Sequence, residues 1–174
     1  MRILRGKTYI PKKNYIKFYL IVIFTIIVGF VFFFSYEKYK EYKSKIPFLR
    51  GMVSEIEVSE LDDYLTENDK AILYVGVAND KNSRELEQDL SYLIEKTGIR
   101  IVYLNITDLV NKVDFYKDFN SRYSSGVSLS NYPAVVLIQD KKIVDLVERG
   151  YSYLTLGSVQ QLFDTYEVRT NNYG

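Results

Sequence analysis

A polar corner behind an apolar segment is where this sequence could carry chemistry. The stretch GVANDKNSREL (76–86) follows the apolar run AILYV and opens a segment with helical character. Corners between a strand and a helix often hold the functional side chains of α/β proteins. Any reaction here must use the residue types of the corner, which are Asn79, Asp80, Lys81, Asn82, Ser83 and Arg84.

The composition excludes most of the usual reactions at such a corner. The chain contains neither cysteine nor histidine, which removes disulfides, thiolate chemistry, a histidine base and zinc sites built from these residues. A Ser83 nucleophile activated by Lys81 is one remaining possibility. The other is that Ser83 or Asn82 caps the following helix, and we expect the capping role.

Carboxylates are the remaining groups that could hold a metal ion. They lack the spacing and glycine of an EF-hand loop, and we expect them to lie on solvated faces. The sequence therefore predicts no catalytic residue, no metal and no cofactor, and it predicts a protein that is not an enzyme. The carboxylates considered are Asp62, Asp63, Glu85, Glu87 and Asp89.

The charge of the chain is divided unevenly. Residues 51–174 contain 12 basic and 20 acidic residues, which is a formal charge of −8. A domain with this excess of acid repels phosphate backbones. We therefore expect no nucleic acid among its partners.

An uncharged segment near the N-terminus predicts one transmembrane helix. The run FYLIVIFTIIVGFVFFFSY (18–36) has 19 residues, and at about 1.5 Å per residue it spans roughly 28 Å, close to the hydrocarbon thickness of a bilayer. It is longer than the apolar core of a signal peptide, and no small-x-small cleavage site follows it. We therefore expect an uncleaved anchor that has the lipid bilayer as a partner.

The charges around this segment indicate its orientation. Six basic residues lie in the tail 1–17, and five follow the segment up to residue 50. The count slightly favours an N-terminus in the cytoplasm, and a short tail before a long translocated domain is the simpler arrangement. We therefore predict a single-pass protein of the cell membrane with an extracytoplasmic domain. The charged stem 37–52, which is helical until it breaks before Pro47, could rest on anionic headgroups or act as a solvated spacer.

Residues 53–167 alternate between strand-like and helix-like segments, and a polar tail, 168–174, follows. The pattern predicts an α/β domain with a mixed sheet of four to five strands flanked by helices. Along the strand 134–138, Val135 and Leu137 are expected on one face of the sheet and Val136 and Ile138 on the other. The predicted strands of the sheet are 71–77, 100–105, 134–138 and 143–148, and a shorter candidate begins at residue 52.

Three helical details follow from the spacing of residue types. Ser59, with Asp62 three residues later, is expected to cap the first helix of the domain. The helix that follows the corner is expected to stop at Gly98 and to bury a stripe of apolar side chains. This stripe consists of Leu86, Leu90, Leu93 and Ile94. A later helix is indicated by the loose helical spacing of Val110, Val113, Phe115 and Phe119.

The order of these elements, with a proline just before the terminal hairpin, resembles the thioredoxin fold. Three segments carry the resemblance: AILYVGV (71–77), IRIVYLNITD (99–108) and NYPAVVLIQDKKIVDLVERG (131–150). The nearest group in character is the thioredoxin-like proteins of Gram-positive bacteria called bacteriocin transport accessory proteins. In these proteins, a strand that ends in glycine is followed by C-x-x-C and a basic residue.

Laid on this pattern, the corner lacks both sulfurs. Gly76 matches the glycine, Asp80 and Ser83 stand where the cysteines would be, and Arg84 matches the basic residue; a shift by one would instead place Lys81 and Arg84 at the cysteine positions. Thiol–disulfide exchange requires a thiolate. The redox activity that the resemblance implies is therefore excluded by the residues present.

The resemblance further implies a cis peptide bond between Tyr132 and Pro133, in a loop that lies beside the corner. Backbone next to such a loop can pair with an extended peptide, although Pro133 could also serve only to shape the turn. We hypothesise a binding or scaffold module for an envelope or membrane protein. The alternative is an accessory subunit of a secretion or peptide-maturation machine, with the domain as a folded spacer. The predicted groove consists of Asn79, Asp80, Arg84, Tyr132 and Pro133.

Overall fold

The structure is a computed structural model that describes residues 15–168. The chain divides into two compact units, residues 1–42 and 43–174. Most of the predicted tails 1–17 and 168–174 lies outside the described residues.

The first unit consists, where it is described, of helix α1. This helix has 29 residues, Ile16–Ser44, and none of its side chains is buried. It is long and apolar enough to cross a membrane, and its last residues belong to the second unit. It thus begins before the predicted span 18–36 and continues into the predicted stem.

The second unit alternates strands and helices in the predicted order. The elements are β1 (Ser54–Ile56), α2 (Leu61–Glu67), β2 (Lys70–Gly76), α3 (Lys81–Thr97), β3 (Val102–Asn105), α4 (Lys112–Tyr123), β4 (Ala134–Gln139), β5 (Lys142–Glu148) and α5 (Leu156–Thr165).

The strands form one mixed sheet in the order β1-β3-β2-β4-β5. Strands β1 and β2 both pair with β3 in parallel, whereas β4 runs antiparallel to β2 and to β5. The predicted neighbourhood of 71–77 and 134–138 is confirmed, since Val75 pairs with Ala134. The carboxyl ends of β2, β3 and β5 and the start of β4 therefore meet at one edge of the sheet, which we call the site edge.

Each face of the sheet carries its own hydrophobic core, because successive side chains of a strand point to opposite faces. Val136 and Ile138 pack on the face covered by α2 and α4. Val135 and Leu137 pack on the face covered by α3 and α5. The predicted alternation along β4 is confirmed. On α3, Leu86, Leu90 and Leu93 are buried as predicted, and Gly98 ends the helix in the left-handed conformation.

Two predicted helical details are wrong. Helix α2 begins after Glu60, which makes no side-chain capping bond, so Ser59 is not the N-cap. Val110 lies before α4, which begins at Lys112, and both Val110 and Val113 are exposed. Phe115 and Phe119 of the same predicted set are buried on α4, together with Tyr123.

The predicted stem is partly built into the second unit. Helix α1 ends at Ser44, before Pro47 as expected. Pro47 and Leu49 are then buried, and Leu49 packs in the core on the α3 side of the sheet. A description of the whole stem as a solvated spacer is therefore incorrect.

Candidate functional site

Ser83 lies inside the corner as a structural group. It has no exposed surface, and its hydroxyl accepts a hydrogen bond from the backbone N–H of Val77 at 3.3 Å. Its carbonyl oxygen accepts the hydroxyl of Tyr74 at 3.1 Å. Lys81 is exposed, and its ammonium lies 3.6 Å from the carboxylate of Glu85. The arrangement does not support a Ser83–Lys81 nucleophile.

Asp80 performs the capping role that we expected of Asn82 or Ser83. It precedes the first residue of α3 in extended conformation, and its Oδ2 accepts the backbone N–H of Ser83 at 2.9 Å. Aspartate is as good an N-cap as serine or asparagine, and the bond to the third helical residue is the usual one. Both residues that stand at the cysteine positions of the resemblance thus stabilise the start of α3.

Arg84 is turned toward the segment that follows α1. Its Nη1 donates to the carbonyl oxygen of Ala78 at 3.0 Å, of Ile46 at 3.3 Å and of Ser44 at 3.5 Å. The guanidinium therefore ties the corner to residues 44–46. Of the five predicted groove residues, Arg84 is the one whose donors face this segment.

Glu87 is a buried carboxylate, and its predicted place on a solvated face is wrong. It has no exposed surface, and it accepts the N–H of Phe48 at 2.5 Å and the hydroxyl of Tyr74 at 3.3 Å. Burial raises its pKa to about 6, against the opposing effect of these hydrogen bonds and of Arg84. The helical spacing contained a signal for this burial, because position 87 borders the stripe of buried side chains at positions 86, 90 and 93.

The loop 130–133, which we call the proline loop, is held by the end of β5. The peptide bond between Tyr132 and Pro133 is cis, as predicted. The carboxylate of Glu148 accepts the N–H of Ser130 at 2.7 Å, the N–H of Asn131 at 2.9 Å and the Ser130 hydroxyl. The loop is thereby fixed at the site edge.

Arg149 connects the proline loop to the start of α3, and no sequence pattern singles it out. Its N–H donates to the carbonyl of Pro133 at 3.0 Å, and its carbonyl accepts the side-chain amide of Asn131 at 2.9 Å. Its guanidinium donates to the Asn82 amide oxygen at 2.6 and 3.2 Å, in the amide orientation that satisfies both groups. These hydrogen bonds join the residue after β5 to the proline loop and to the start of α3.

Aromatic side chains stand near this junction. Tyr132 is half-buried, and the Lys112 ammonium lies 5.9 Å from the centroid of its ring. Tyr151, two residues after Arg149, is fully exposed. Asn79 is exposed at the corner. The site edge thus holds an arginine fixed by Asn82 and the half-buried ring of Tyr132, and the exposed Tyr151 follows Arg149 two residues later in the chain.

Comparison with known proteins shows the fold alone. No protein-family model matches the chain, and no curated protein matches it in sequence. Thioredoxin f2 of Chlamydomonas reinhardtii is similar in structure with a TM-score of 0.50 and 10% identity, over 66% of this chain and 96% of that one. A mutant thioredoxin of Halobacterium salinarum has a TM-score of 0.44 and 20% identity, over 65% of this chain and 90% of that one. A Plasmodium falciparum thioredoxin has a TM-score of 0.48 and 12% identity, over 66% and 99%.

The strand order of the sheet and the structural similarity to thioredoxin f2 both indicate a thioredoxin-like fold. Dithiol–disulfide exchange needs cysteine, and the chain has none. The protein therefore has a thioredoxin-like fold, with a mixed five-stranded sheet flanked by helices and one apolar N-terminal helix, and it lacks the residues of dithiol chemistry.

Proposed function

We propose that this protein is a redox-inactive, membrane-anchored thioredoxin-like domain that binds an extended segment of another envelope protein at the site edge. The observation that carries the proposal is the junction of Arg149 with Asn82 and the proline loop. This junction holds the loop and the start of α3 together without cysteines. Both sides of the groove are thus kept in place although the dithiol is absent.

The side chains of the junction suit recognition of a peptide. Arg149 presents a cationic group whose position is set by Asn82, and a pre-ordered arginine loses little freedom on binding. Tyr132 and Tyr151 supply rigid aromatic surface with few rotatable bonds. Extended peptides are recognised by such pockets together with backbone hydrogen bonds.

Membrane anchoring supports the same function. Helix α1 is long and apolar enough to span a bilayer, and we propose that it does so in the cell membrane with the N-terminus in the cytoplasm and the domain outside. Confinement near the bilayer raises the effective concentration of the domain around other membrane proteins. A modest affinity for the extended segment is then sufficient.

A second function is favoured by a different observation. The polar groups of the proline loop are largely engaged by Glu148, Arg149 and Asn131 within the domain itself. This is what a folded spacer in an accessory subunit of a secretion or peptide-maturation machine would show, in keeping with the resemblance to bacteriocin transport accessory proteins.

Photocrosslinking in cells distinguishes the two functions. A photoreactive amino acid is placed at Tyr132 or at Tyr151, and the control position is Glu95. Glu95 is exposed on the same helix as Ser83, roughly 18 Å farther along it at 1.5 Å per residue. We expect positions 132 and 151 to capture one common protein that position 95 does not. Equal capture at all three positions, or no capture at 132, would support the folded spacer.

A further inference from the structure

The chain enters the folded domain at the site edge. Residues 44–46, which belong to the second unit, are held there by two polar contacts. The guanidinium of Arg84 donates to two carbonyl oxygens of this segment and to that of Ala78, which lies just after β2. The ammonium of Lys45 lies 3.4 Å from the carboxylate of Asp108, in the loop that follows β3. The entry point thus lies on the loops that leave the carboxyl ends of β2 and β3.

Little chain separates this entry point from the apolar span. The predicted span ends at Tyr36, and α1 continues as a helix to Ser44. The residues 37–44 reach roughly 12 Å at about 1.5 Å per residue, and the headgroup layer of a bilayer is itself roughly 5–8 Å thick. With α1 across a bilayer, the entry point therefore lies close to the headgroups at any tilt of the helix.

Exposed apolar side chains are concentrated at the same edge. Among the described residues of the second unit, seven large apolar side chains are exposed. Four of them lie in two segments, 109–113 and 149–153, which we call the rim. The side chains at positions 110 and 151 are the most exposed large apolar groups of the described chain. The four rim side chains are Val110, Val113, Tyr151 and Tyr153.

Contacts within the domain place both rim segments beside the proline loop. The ammonium of Lys112 lies 5.9 Å from the centroid of the Tyr132 ring. The N–H of Arg149 donates to the carbonyl of Pro133 at 3.0 Å. Tyr151 follows two residues later, at most about 7 Å along the chain. The rim therefore borders the proline loop at the site edge.

We propose that the site edge faces the bilayer, with the apolar side chains of the rim in the headgroup layer. This inference rests on the proposed membrane anchor and deepens the proposed function, because an extended segment that binds at the site edge then lies at the membrane surface. Tyrosine is enriched in this layer, since its ring is apolar and its hydroxyl is polar. A rim of exposed valine and tyrosine beside the entry point of the anchor matches such a surface.

Apolar contact rather than charge accounts for this orientation. The site edge also holds the acidic side chains of Asp108, Asp114 and Glu148, which oppose its lysine and arginine residues. Residues 51–174 have a formal charge of −8. Anionic headgroups attract clusters of basic residues, and a domain with this balance gains little from them. The contact should therefore form equally well on uncharged lipid.

Tryptophan fluorescence of the full-length protein in lipid nanodiscs tests the orientation. The chain contains no tryptophan, so Tyr151→Trp and Tyr153→Trp each provide a single reporter. The discs consist of phosphatidylcholine with or without bromine atoms on the acyl chains near the headgroup, which quench nearby tryptophan. We expect a loss of emission in brominated discs for both reporters. Discs that hold one copy of the protein exclude a second copy as the surface that covers the rim.

Tyr92→Trp is the matched control for these reporters. Tyr92 and Tyr153 are 61% and 60% exposed, but Tyr92 lies on α3 roughly 16 Å from the start of the helix. We expect the reporter at position 92 to keep its emission in brominated discs. Equal quenching at positions 92 and 153, or no quenching at positions 151 and 153, would overturn the proposal.

A charged rim tests whether the apolar side chains make the contact. Val110→Asp and Tyr151→Asp are combined with the reporter Tyr153→Trp, and circular dichroism checks the fold. We expect the quenching at position 153 to be lost in this variant and, with the rim unaltered, to stay the same when phosphatidylglycerol replaces part of the phosphatidylcholine. Quenching that persists with both aspartates, or that requires phosphatidylglycerol, would contradict an apolar contact.

The result is separate from that of the proposed function, because the discs contain no partner protein. Copurification of the protein with the discs tests the anchor. Absence of quenching together with capture at position 132 in cells would overturn the orientation and leave peptide binding in place. Quenching without that capture would support the orientation and remove peptide binding.

Discussion

Leu49→Ala is expected to lower the free energy of unfolding of the domain by about 2–5 kcal/mol, the usual cost of removing a fully buried leucine side chain. Leu49 lies outside the predicted domain 53–167, but it has no exposed surface and packs in the core on the α3 side. Chemical denaturation of the full-length protein in detergent, followed by circular dichroism, measures the effect.

The neighbouring residue provides a matched control for Leu49. Phe48 is 43% exposed, and its backbone N–H remains in Phe48→Ala, so we expect a change within about 0.5 kcal/mol. If both variants unfold alike, the segment around Leu49 is not part of the folded domain.

Gly76→Ala is expected to destabilise the domain by about 1–3 kcal/mol through overpacking. A Cβ at this position would lie 2.7 Å from Cζ and Oη of Tyr74. The Tyr74 ring has no exposed surface, and its hydroxyl is bound to Ser83 and Glu87, so it cannot move aside without breaking these bonds. Thermal unfolding of the full-length protein measures the loss.

The control for this variant is Gly150→Ala, since a Cβ built on Gly150 meets no atom within 4 Å beyond its chain neighbours. We expect Gly150→Ala to unfold within about 0.5 kcal/mol of the unchanged protein. Equal stability of the two glycine variants would mean that Tyr74 is not confined as described. Gly76, which in the sequence analysis matches the glycine before the C-x-x-C pattern, would then have no packing role.

The sheet could be predicted from the sequence because its signals are local and consistent. The apolar runs 71–77 and 134–138 have the length of buried strands, and the leucine stripe of α3 has helical spacing. Helix boundaries were less accurate where three residue types are equally good N-caps. Asp80, Asn82 and Ser83 are all good N-caps, and only the structure shows that the carboxylate of Asp80 takes the bond.

The candidate site was predictable only in part. Pro133, the end of β2 and the corner come together at the site edge because β2 and β4 are paired. The burial of Glu87 was missed because acidic residues are usually exposed, and here backbone N–H groups from a distant segment offset the cost. Arg149 was missed because its partners lie on α3 and in the proline loop. Hydrogen bonds between such distant segments produce no periodic pattern in the sequence.

The most direct test of the central claim is a binding titration with the segment captured by the crosslink at position 132. The full-length protein, Tyr132→Ala, Arg149→Gln and the control Glu95→Ala are compared by isothermal titration calorimetry, with circular dichroism as a check on folding. We predict that Tyr132→Ala and Arg149→Gln each weaken binding by about tenfold or more, the size expected for aromatic and arginine anchors, while Glu95→Ala leaves the affinity unchanged. Unchanged affinity in both site variants would contradict binding at the site edge and would leave the folded spacer as the function of the domain.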